Sequence, residues 1–266
     1  MASEPKDAWA AGDAYEPYVG RWSRLVAREF LSWVAVPADG EWLDVGCGTG
    51  ALCEAILKIT SPRRVIGIDP SEGFLSYARN RVVDPRASFQ VGDAQALPVA
   101  DASFNATVSG LVINFVPDHA KAVSEMRRST RPGGIVAAYV WDYAGEMQMM
   151  RRFWDAAVAL DPAAFGLDEG RRFLVCRPEP LAALFRAAGL DNVQVRAIDV
   201  PTPFKDFADY WKPFLGGQAP APGYCMSLPE DRRTALRELV RESLPISNDG
   251  TIHLIARAWA VCGTPP

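Results

Sequence analysis

Between Tyr15 and Val36, apolar residues recur at intervals of three and four, with Trp22, Leu25, Val26, Phe30 and Trp33 falling on one helical face. Pro37 and Gly40 end that pattern. Beyond them, short apolar runs at 41–45, 64–68, 87–91, 104–109 and 135–141 predict strands. Helical stretches at 51–59, from Ser71 to about Val82, and at 118–130 lie between them, with turns at 46–50 and 131–134. This alternation predicts an α/β domain whose parallel sheet is covered by helices on both faces.

After Trp141 the rhythm changes. The spacing predicts helices at 146–160 and 179–188, the second closed by Gly189, then a strand at 192–200 and a short helix at 204–214. The Gly- and Pro-rich stretch 216–229 reads as a loop. An amphipathic helix at 228–244 and a strand at 252–261 complete the pattern, with no internal repeat.

The densest chemistry follows the first strand, in the segment EWLDVGCGTG at 41–50. It places Asp44 at the end of a strand and Gly46, Gly48 and Gly50 in the turn before a helix. Glycines permit positive φ and close approach of a ligand to the backbone. In an open parallel sheet, ligands bind beyond the carboxyl ends of the strands. Two cofactors suit this loop. Gly46, Gly48 and Ala51 satisfy the dinucleotide pattern, with Asp69 about 20 residues on. That spacing allows an NAD(P)-dependent oxidoreductase on a related Rossmann sheet. Against it, Asp44 stands where a pyrophosphate would lie, whereas S-adenosylmethionine carries an ammonium and a sulfonium that acids favour. No Tyr-x-x-x-Lys pair occurs, and the nicotinamide reading leaves GDAQALP at 92–98 and RPGG at 131–134 without a role.

With VIGIDPSEGFLSYAR at 65–79 and FNATVSGLVINFVPD at 104–118, these motifs resemble the class I S-adenosylmethionine-dependent methyltransferase superfamily. Within it, the chain is most similar to the small-molecule branch of the ubiquinone/menaquinone methyltransferase type. The resemblance covers roughly residues 40–141. It implies a Rossmann-like, doubly wound seven-stranded sheet in the order 3-2-1-4-5-7-6, with the last strand antiparallel and a helical cap. It also implies one methyltransferase domain over 1–266: an N-terminal lid helix region (1–36), a cofactor-binding core (37–141), a cap and acceptor-pocket region with strand 6 (142–250), and the final strand (251–266).

The residue roles follow from the same resemblance. Asp44, with Gly46, Cys47, Gly48 and Gly50, would hold the methionine end of S-adenosylmethionine. Asp69 would accept from the ribose hydroxyls, with Pro70, Ser71 and Phe74 beside the ribose and adenine. Asp93 and Ala94 would contact the adenine, and Ser109 and Gly110 would flank the sulfonium. Tyr15 and Tyr18 are candidates for a closing lid, and Asp142 for an acceptor contact. The Met147, Met149, Met150 and Trp154 group and the loop holding Tyr224 are candidate pocket walls. The chain departs from its relatives at Asn105, where many have Asp, and at 113–115, where many carry a His pair.

Methyl transfer needs neither a metal nor a covalent nucleophile, and no metal site is expected. A general base would be needed for an enol or phenol acceptor. The two histidines, His119 and His253, sit at a helix start and in the final strand, and neither is a convincing base. A methyltransferase-like module that binds the cofactor without turnover therefore stands as a further alternative.

Composition narrows the partners. The formal net charge is −4 and no basic run of five residues exists, so a nucleic-acid substrate is not expected and a small-molecule acceptor is. Five cysteines without a C-x-x-C pair argue against a disulfide framework or zinc site. Residues 1–17 carry acids and no apolar run, and no stretch approaches 18 apolar residues. The expectation is a cytoplasmic chain with no membrane span.

Overall fold

The computed structural model describes residues 20–34, 36–217 and 219–266. Its sheet is built around Glu41–Val45 (β1), whose Trp42, Leu43 and Val45 are buried, as a central parallel strand covered on both faces requires. β1 pairs in parallel with Arg64–Asp69 (β2) on one side and Phe104–Gly110 (β4) on the other. Ala87–Val91 (β3) extends the sheet beyond β2, and Thr130–Trp141 (β5) beyond β4, both parallel. Ile252–Thr264 (β7) runs antiparallel to β5 and to the edge strand Asp191–Phe204 (β6). The seven strands lie in the order β3-β2-β1-β4-β5-β7-β6, as the resemblance implied. The order reverses between β1 and β4, so the loops leaving these two strands part and open a crevice.

Helices Arg21–Val34 (α1), Ala51–Ile59 (α2), Glu72–Arg81 (α3) and His119–Ser129 (α4) pack against this core. α1 buries Trp22, Val26 and Phe30 of the expected face together with Ala27, Leu31 and Val34, whereas Leu25 and Trp33 are only half-buried. It begins at Arg21, and the earlier part of the expected 15–36 helix falls outside the described residues.

The cap is held by rings. Gln148–Leu160 (α5) buries Met149, Met150, Phe153 and Trp154. Phe153 stacks on Phe214 with centroids 4.4 Å apart, and Trp154 lies against Tyr224 at 5.6 Å. Tyr210, in Phe207–Trp211 (α8), donates from its hydroxyl to the Met149 carbonyl at 2.7 Å. Glu169–Arg172 (α6) and Pro178–Ala187 (α7) lie between α5 and β6 in the chain, and Glu230–Ser243 (α10) packs on α5.

Three local expectations are corrected. The expected loop 216–229 contains a helix, Pro220–Ser227 (α9). Its prolines fall in the first turn, where N–H groups have no partner within the helix, and Gly223 N makes the first bond, to the Ala219 carbonyl. The expected helix at 204–214 starts only at Phe207, because β6 continues through Phe204. Pro201 and Pro203 are tolerated there because β6 is an edge strand, paired only with β7. The expected turn 131–134 lies within β5 as an irregularity: pairing to β4 jumps from Phe104↔Thr130 to Ala106↔Ile135.

Candidate functional site

A cavity of about 300 Å³ opens at the crevice between β1 and β4. Its first wall is the glycine turn after β1. Gly46 N and Cys47 N both donate to the Ile68 carbonyl, at 2.7 and 3.0 Å, which ties the turn to the end of β2. Gly48 has φ +50° and lines the cavity, and a Cβ placed on it would meet no atom of the described residues within 4 Å. Among the described residues, the space beside it stays open to the cavity. Gly50 differs: it caps α2 with φ +81°, and a Cβ there would lie 3.1 Å from Val82 and 3.2 Å from Ala78. It is outside the cavity lining and serves the packing of α2 on α3.

Asp44 lines the floor and is 1% exposed. Its Oδ2 accepts from the Cys53 thiol at 3.1 Å. Its Oδ1 is buried with no hydrogen-bond partner among the described residues. Burial pushes the Asp44 pKa up to about 7; the Cys53 hydrogen bond opposes the rise and the charge of Asp69 adds to it. Burial also holds the Cys53 thiol well above its ordinary pKa, so it remains a donor to Asp44. An orphaned buried carboxylate oxygen facing a cavity is the natural partner of an ammonium.

Asp69 closes β2. Its Oδ2 accepts from Gly48 N at 3.0 Å and its Oδ1 from Ser71 N at 2.8 Å. Burial raises its pKa, and the two backbone N–H groups pull it back. Each oxygen keeps a lone pair for a ligand hydroxyl. Ser71 caps α3 by accepting from Phe74 N at 3.4 Å, and Pro70, Ser71 and Phe74 line the cavity beside Asp69. Asp93 and Ala94 also line the cavity. Asp93 is exposed and accepts from Gln95 N at 2.9 Å, the leading cause of its lowered pKa.

The wall across from this loop comes from β4 and the residues after it. Gly110 lines the cavity, but Ser109 does not. The Ser109 hydroxyl donates to the Val45 carbonyl at 2.8 Å, tying the ends of β4 and β1 together. Gly110 has no side chain, so what it presents to the cavity is its backbone. Leu111 follows with φ +64°, an uncommon conformation for a branched side chain, and its N–H donates to the Tyr139 carbonyl at 2.8 Å. Such strain is often held at binding sites.

Beyond this point the cavity becomes an aromatic chamber. Phe115, Tyr139, Trp141, Tyr143 and Met150 line it, together with Glu169, the first residue of α6. Among the described residues, the whole lining contains Asp44, Asp69, Asp93 and Glu169 but no lysine, arginine or histidine. Among these residues a pyrophosphate would find no counter-charge, whereas a cation would find several carboxylates.

Other expected acceptor contacts lie elsewhere. Asp142 is buried outside the cavity lining; its Oδ2 accepts from Glu146 N at 3.0 Å, so it closes the turn after β5. Of the methionine group only Met150 lines the chamber, while Met147, Met149 and Trp154 pack in the core. Tyr224 lies in α9 against Trp154, also outside the lining. His119 starts α4 and His253 is exposed on β7, and neither reaches the cavity. Tyr15 and Tyr18 fall outside the described residues. Among the described residues, no group of His, Cys, Asp and Glu has the arrangement of a metal site.

Sequence reasoning did not single out Tyr139, Phe115 or Glu169. Tyr139 sits in an apolar strand run and Glu169 in a charged EGRR stretch that reads as surface, so neither carries a local signal.

Comparison with known proteins agrees with this geometry. A family model described as a methyltransferase domain matches residues 43–138. The chain is 31% identical over 181 residues to a demethylmenaquinone methyltransferase of Roseiflexus sp. (strain RS-1), covering 63% of this chain and 75% of that protein. It is 30% identical over 191 residues to a ubiquinone/menaquinone biosynthesis C-methyltransferase of Desulfotalea psychrophila, covering 66% and 74%. In fold it resembles a phosphoethanolamine N-methyltransferase of Haemonchus contortus, with a TM-score of 0.60 at 16% identity over 96% of this chain and 56% of that one.

Proposed function

This chain belongs to the class I S-adenosylmethionine-dependent methyltransferases, and from that membership we propose that it methylates a small, flat, largely apolar acceptor bound in the aromatic chamber. The observation that carries this reading is the continuity of one cavity from the acid-lined glycine turn to the chamber of Phe115, Tyr139, Trp141 and Tyr143. The residues present fit the cofactor. The orphaned Asp44 Oδ1 suits its ammonium, the open space at Gly48 admits its methionine arm, and Asp69 and Asp93 suit its ribose and adenine. Bound there, S-adenosylmethionine supplies an electrophilic methyl group and leaves as a neutral sulfide.

The remaining work falls to the chain. The walls of the chamber orient the acceptor, and enclosure of the site excludes water. Alignment of this kind supplies roughly 7–11 kcal/mol in favourable systems, which accounts for a methyltransferase without an obvious base. The names of the Roseiflexus and Desulfotalea relatives, which point to quinone-type rings, support a flat acceptor. The net charge of −4 and the absence of cations from the described lining favour a small molecule over a nucleic acid. We read the chain as one functional unit, with residues 37–141 holding the cofactor and the acceptor walled jointly by Phe115, Tyr139 and Trp141 of that segment and by Tyr143, Met150 and Glu169 from residues 142–250. Five free cysteines support a cytoplasmic setting, and among the described residues no helix is long and apolar enough to cross a membrane.

Calorimetric titration with S-adenosylmethionine, S-adenosylhomocysteine and NADH tests the reading. The two sulfur ligands are expected to bind, and their binding to be lost in Asp69→Ala. Binding of NADH alone would overturn it.

A further inference from the structure

The stretch 162–177 backs the aromatic chamber. Phe173 sets its ring 5.2 Å from that of Phe115 and 5.6 Å from that of Tyr143, both of which line the cavity. Gly170 lets the stretch come this close: a Cβ there would lie 2.7 Å from the Tyr143 carbonyl oxygen. The stretch carries two acids, and both are buried. Asp168 is gripped by Arg151 through two bonds of 3.0 and 2.8 Å, and Glu169 belongs to the cavity lining.

The solvent side of the stretch is left with the opposite character. Phe165, in the 3₁₀ turn Pro162–Gly166, is 47% exposed, and Leu174, which opens the 3₁₀ turn Leu174–Cys176, is 56% exposed. Arg171 joins them: its guanidinium lies 3.8 Å over the Phe165 ring, and Leu174 follows one turn on. Arg171 and Arg177 are both exposed, and among the described residues neither forms a salt bridge; Arg177 donates to the Gly170 carbonyl at 3.4 Å. Of the flanking acids, Asp155 is paired with Arg151 at 3.1 Å and Asp161 lies 3.8 Å from Arg232, while Glu179 stands in the first turn of α7. Exposed apolar side chains rimmed by charge of one sign mark an interaction surface.

We propose that this strip is a peripheral docking surface for an anionic lipid bilayer. Phe165 and Leu174 enter the headgroup boundary, and Arg171 and Arg177 bind lipid phosphates. Charge complementarity selects this occupant. The chain as a whole carries a net charge of −4, so an anionic surface repels most of it and turns the arginine strip inward. Two apolar side chains fall short of the buried area that a stable protein interface needs. A surface contact of this kind uses no membrane-spanning helix, and among the described residues no helix is long and apolar enough to be one. Docked in this way, the chain holds the backing of its chamber against the bilayer, where apolar molecules concentrate. The proposal goes beyond the methyl-transfer reading and stands whichever acceptor is methylated.

The test uses the full chain and vesicles of phosphatidylcholine, alone or in equimolar mixture with phosphatidylglycerol, with bound protein measured by sedimentation. The wild type is expected to partition onto the anionic vesicles about 10-fold or more above the neutral ones, and to be released at high ionic strength. Two double variants divide the strip: Phe165→Ser with Leu174→Ser, and Arg171→Gln with Arg177→Gln. Each is expected to lower binding to the anionic vesicles about 10-fold, because each removes two contacts with the lipid. The control, Lys58→Gln with Arg63→Gln, removes the same charge beside the start of β2, at the far end of the sheet from the cavity, and is expected to bind as the wild type does. Equal binding of the wild type to both kinds of vesicle, binding to neither, retention by both strip variants, or an equal loss in the control would overturn the proposal. The comparison of the two vesicles with the wild type decides the matter even if a variant does not fold.

Discussion

The hydroxyl of Tyr139 occupies the space that a side chain on Gly110 would need: a Cβ there would lie 2.5 Å from Tyr139 Oη and 2.7 Å from its ring carbon Cζ. Tyr139 belongs to β5 and Gly110 to β4, and the two pair in register. The phenol therefore lies over the end of β4, where Gly110 and Tyr139 both line the cavity. Behind it, the ring rests on Phe30 of α1, with centroids 4.8 Å apart. Gly110→Ala is expected to force the phenol out of this position. Overpacking of this kind costs about 1–3 kcal/mol, read as a lower denaturation midpoint. Turnover should fall more steeply than stability, and a variant with unchanged turnover would remove Tyr139 from the site.

The two glycines flanking Thr49 should respond differently to alanine. At Gly48 the methyl enters open cavity, so Gly48→Ala should weaken S-adenosylhomocysteine binding while costing only the strain of positive φ, about 1–2 kcal/mol. At Gly50 the methyl meets Ala78 and Val82, so Gly50→Ala should lower the melting temperature and leave cofactor affinity near that of the wild type. Calorimetry and thermal denaturation on the pair check this contrast, and equal affinity losses would contradict it.

Asp44 makes the apo chain sensitive to pH. Its pKa stands at about 7 in the folded state against an ordinary 3.8, because burial disfavours the charge. The folded chain therefore retains a proton that the unfolded chain releases. The stability this confers is complete below about pH 4 and is lost as pH rises through about 7, on the order of 4 kcal/mol in all. Asp44→Asn abolishes the loss, so at about pH 8 the apo variant should melt at a higher temperature than the wild type. Near pH 4 the two should converge, since both side chains are then neutral. Melting curves across this range decide it; parallel profiles would show that Asp44 is not the group titrating.

The same residue predicts the pH dependence of cofactor binding. An ammonium at Asp44 Oδ1 favours the ionised form, so S-adenosylmethionine affinity should rise as pH increases through about 7, with proton release on binding. Calorimetry in buffers of different ionisation enthalpy measures the proton count. In Asp44→Asn the affinity should be lower and flat with pH across this range.

Arg151 is expected to matter for both stability and acceptor binding. Its partner Asp168 has a side chain only 6% exposed, and removing the cation from a buried pair costs about 3–5 kcal/mol. Arg151→Met should therefore lower the denaturation midpoint strongly and, by releasing α6, weaken acceptor binding more than cofactor binding. Lost acceptor affinity with intact S-adenosylhomocysteine affinity is the expected pattern; a proportional loss of both would place Arg151 in general stability alone.

The cofactor half of this protein is written in contiguous residues. Strand, glycine turn, helix and acid follow one another from Glu41 to Asp69, and each signal acts within a few positions because positive φ and helix capping are local properties. The strand order followed from the same motifs through resemblance. Even there, the side-chain direction at Ser109 and the packing role of Gly50 were settled only by their neighbours, Val45 and α3. The acceptor half has no such local code. Its walls come from β4–α4, β5, α5 and α6, and Phe115 and Glu169 meet across one chamber although 54 positions separate them. Glu169 reads as a surface acid until Gly170 lets its segment press against Tyr143, and Pro220–Ser227 reads as a loop until its prolines fall in the first turn of a helix. Sequence determined where the cofactor loop lies, because backbone conformation is set by neighbours in the chain. Only the tertiary structure decided what faces the acceptor, because burial is set by neighbours in space.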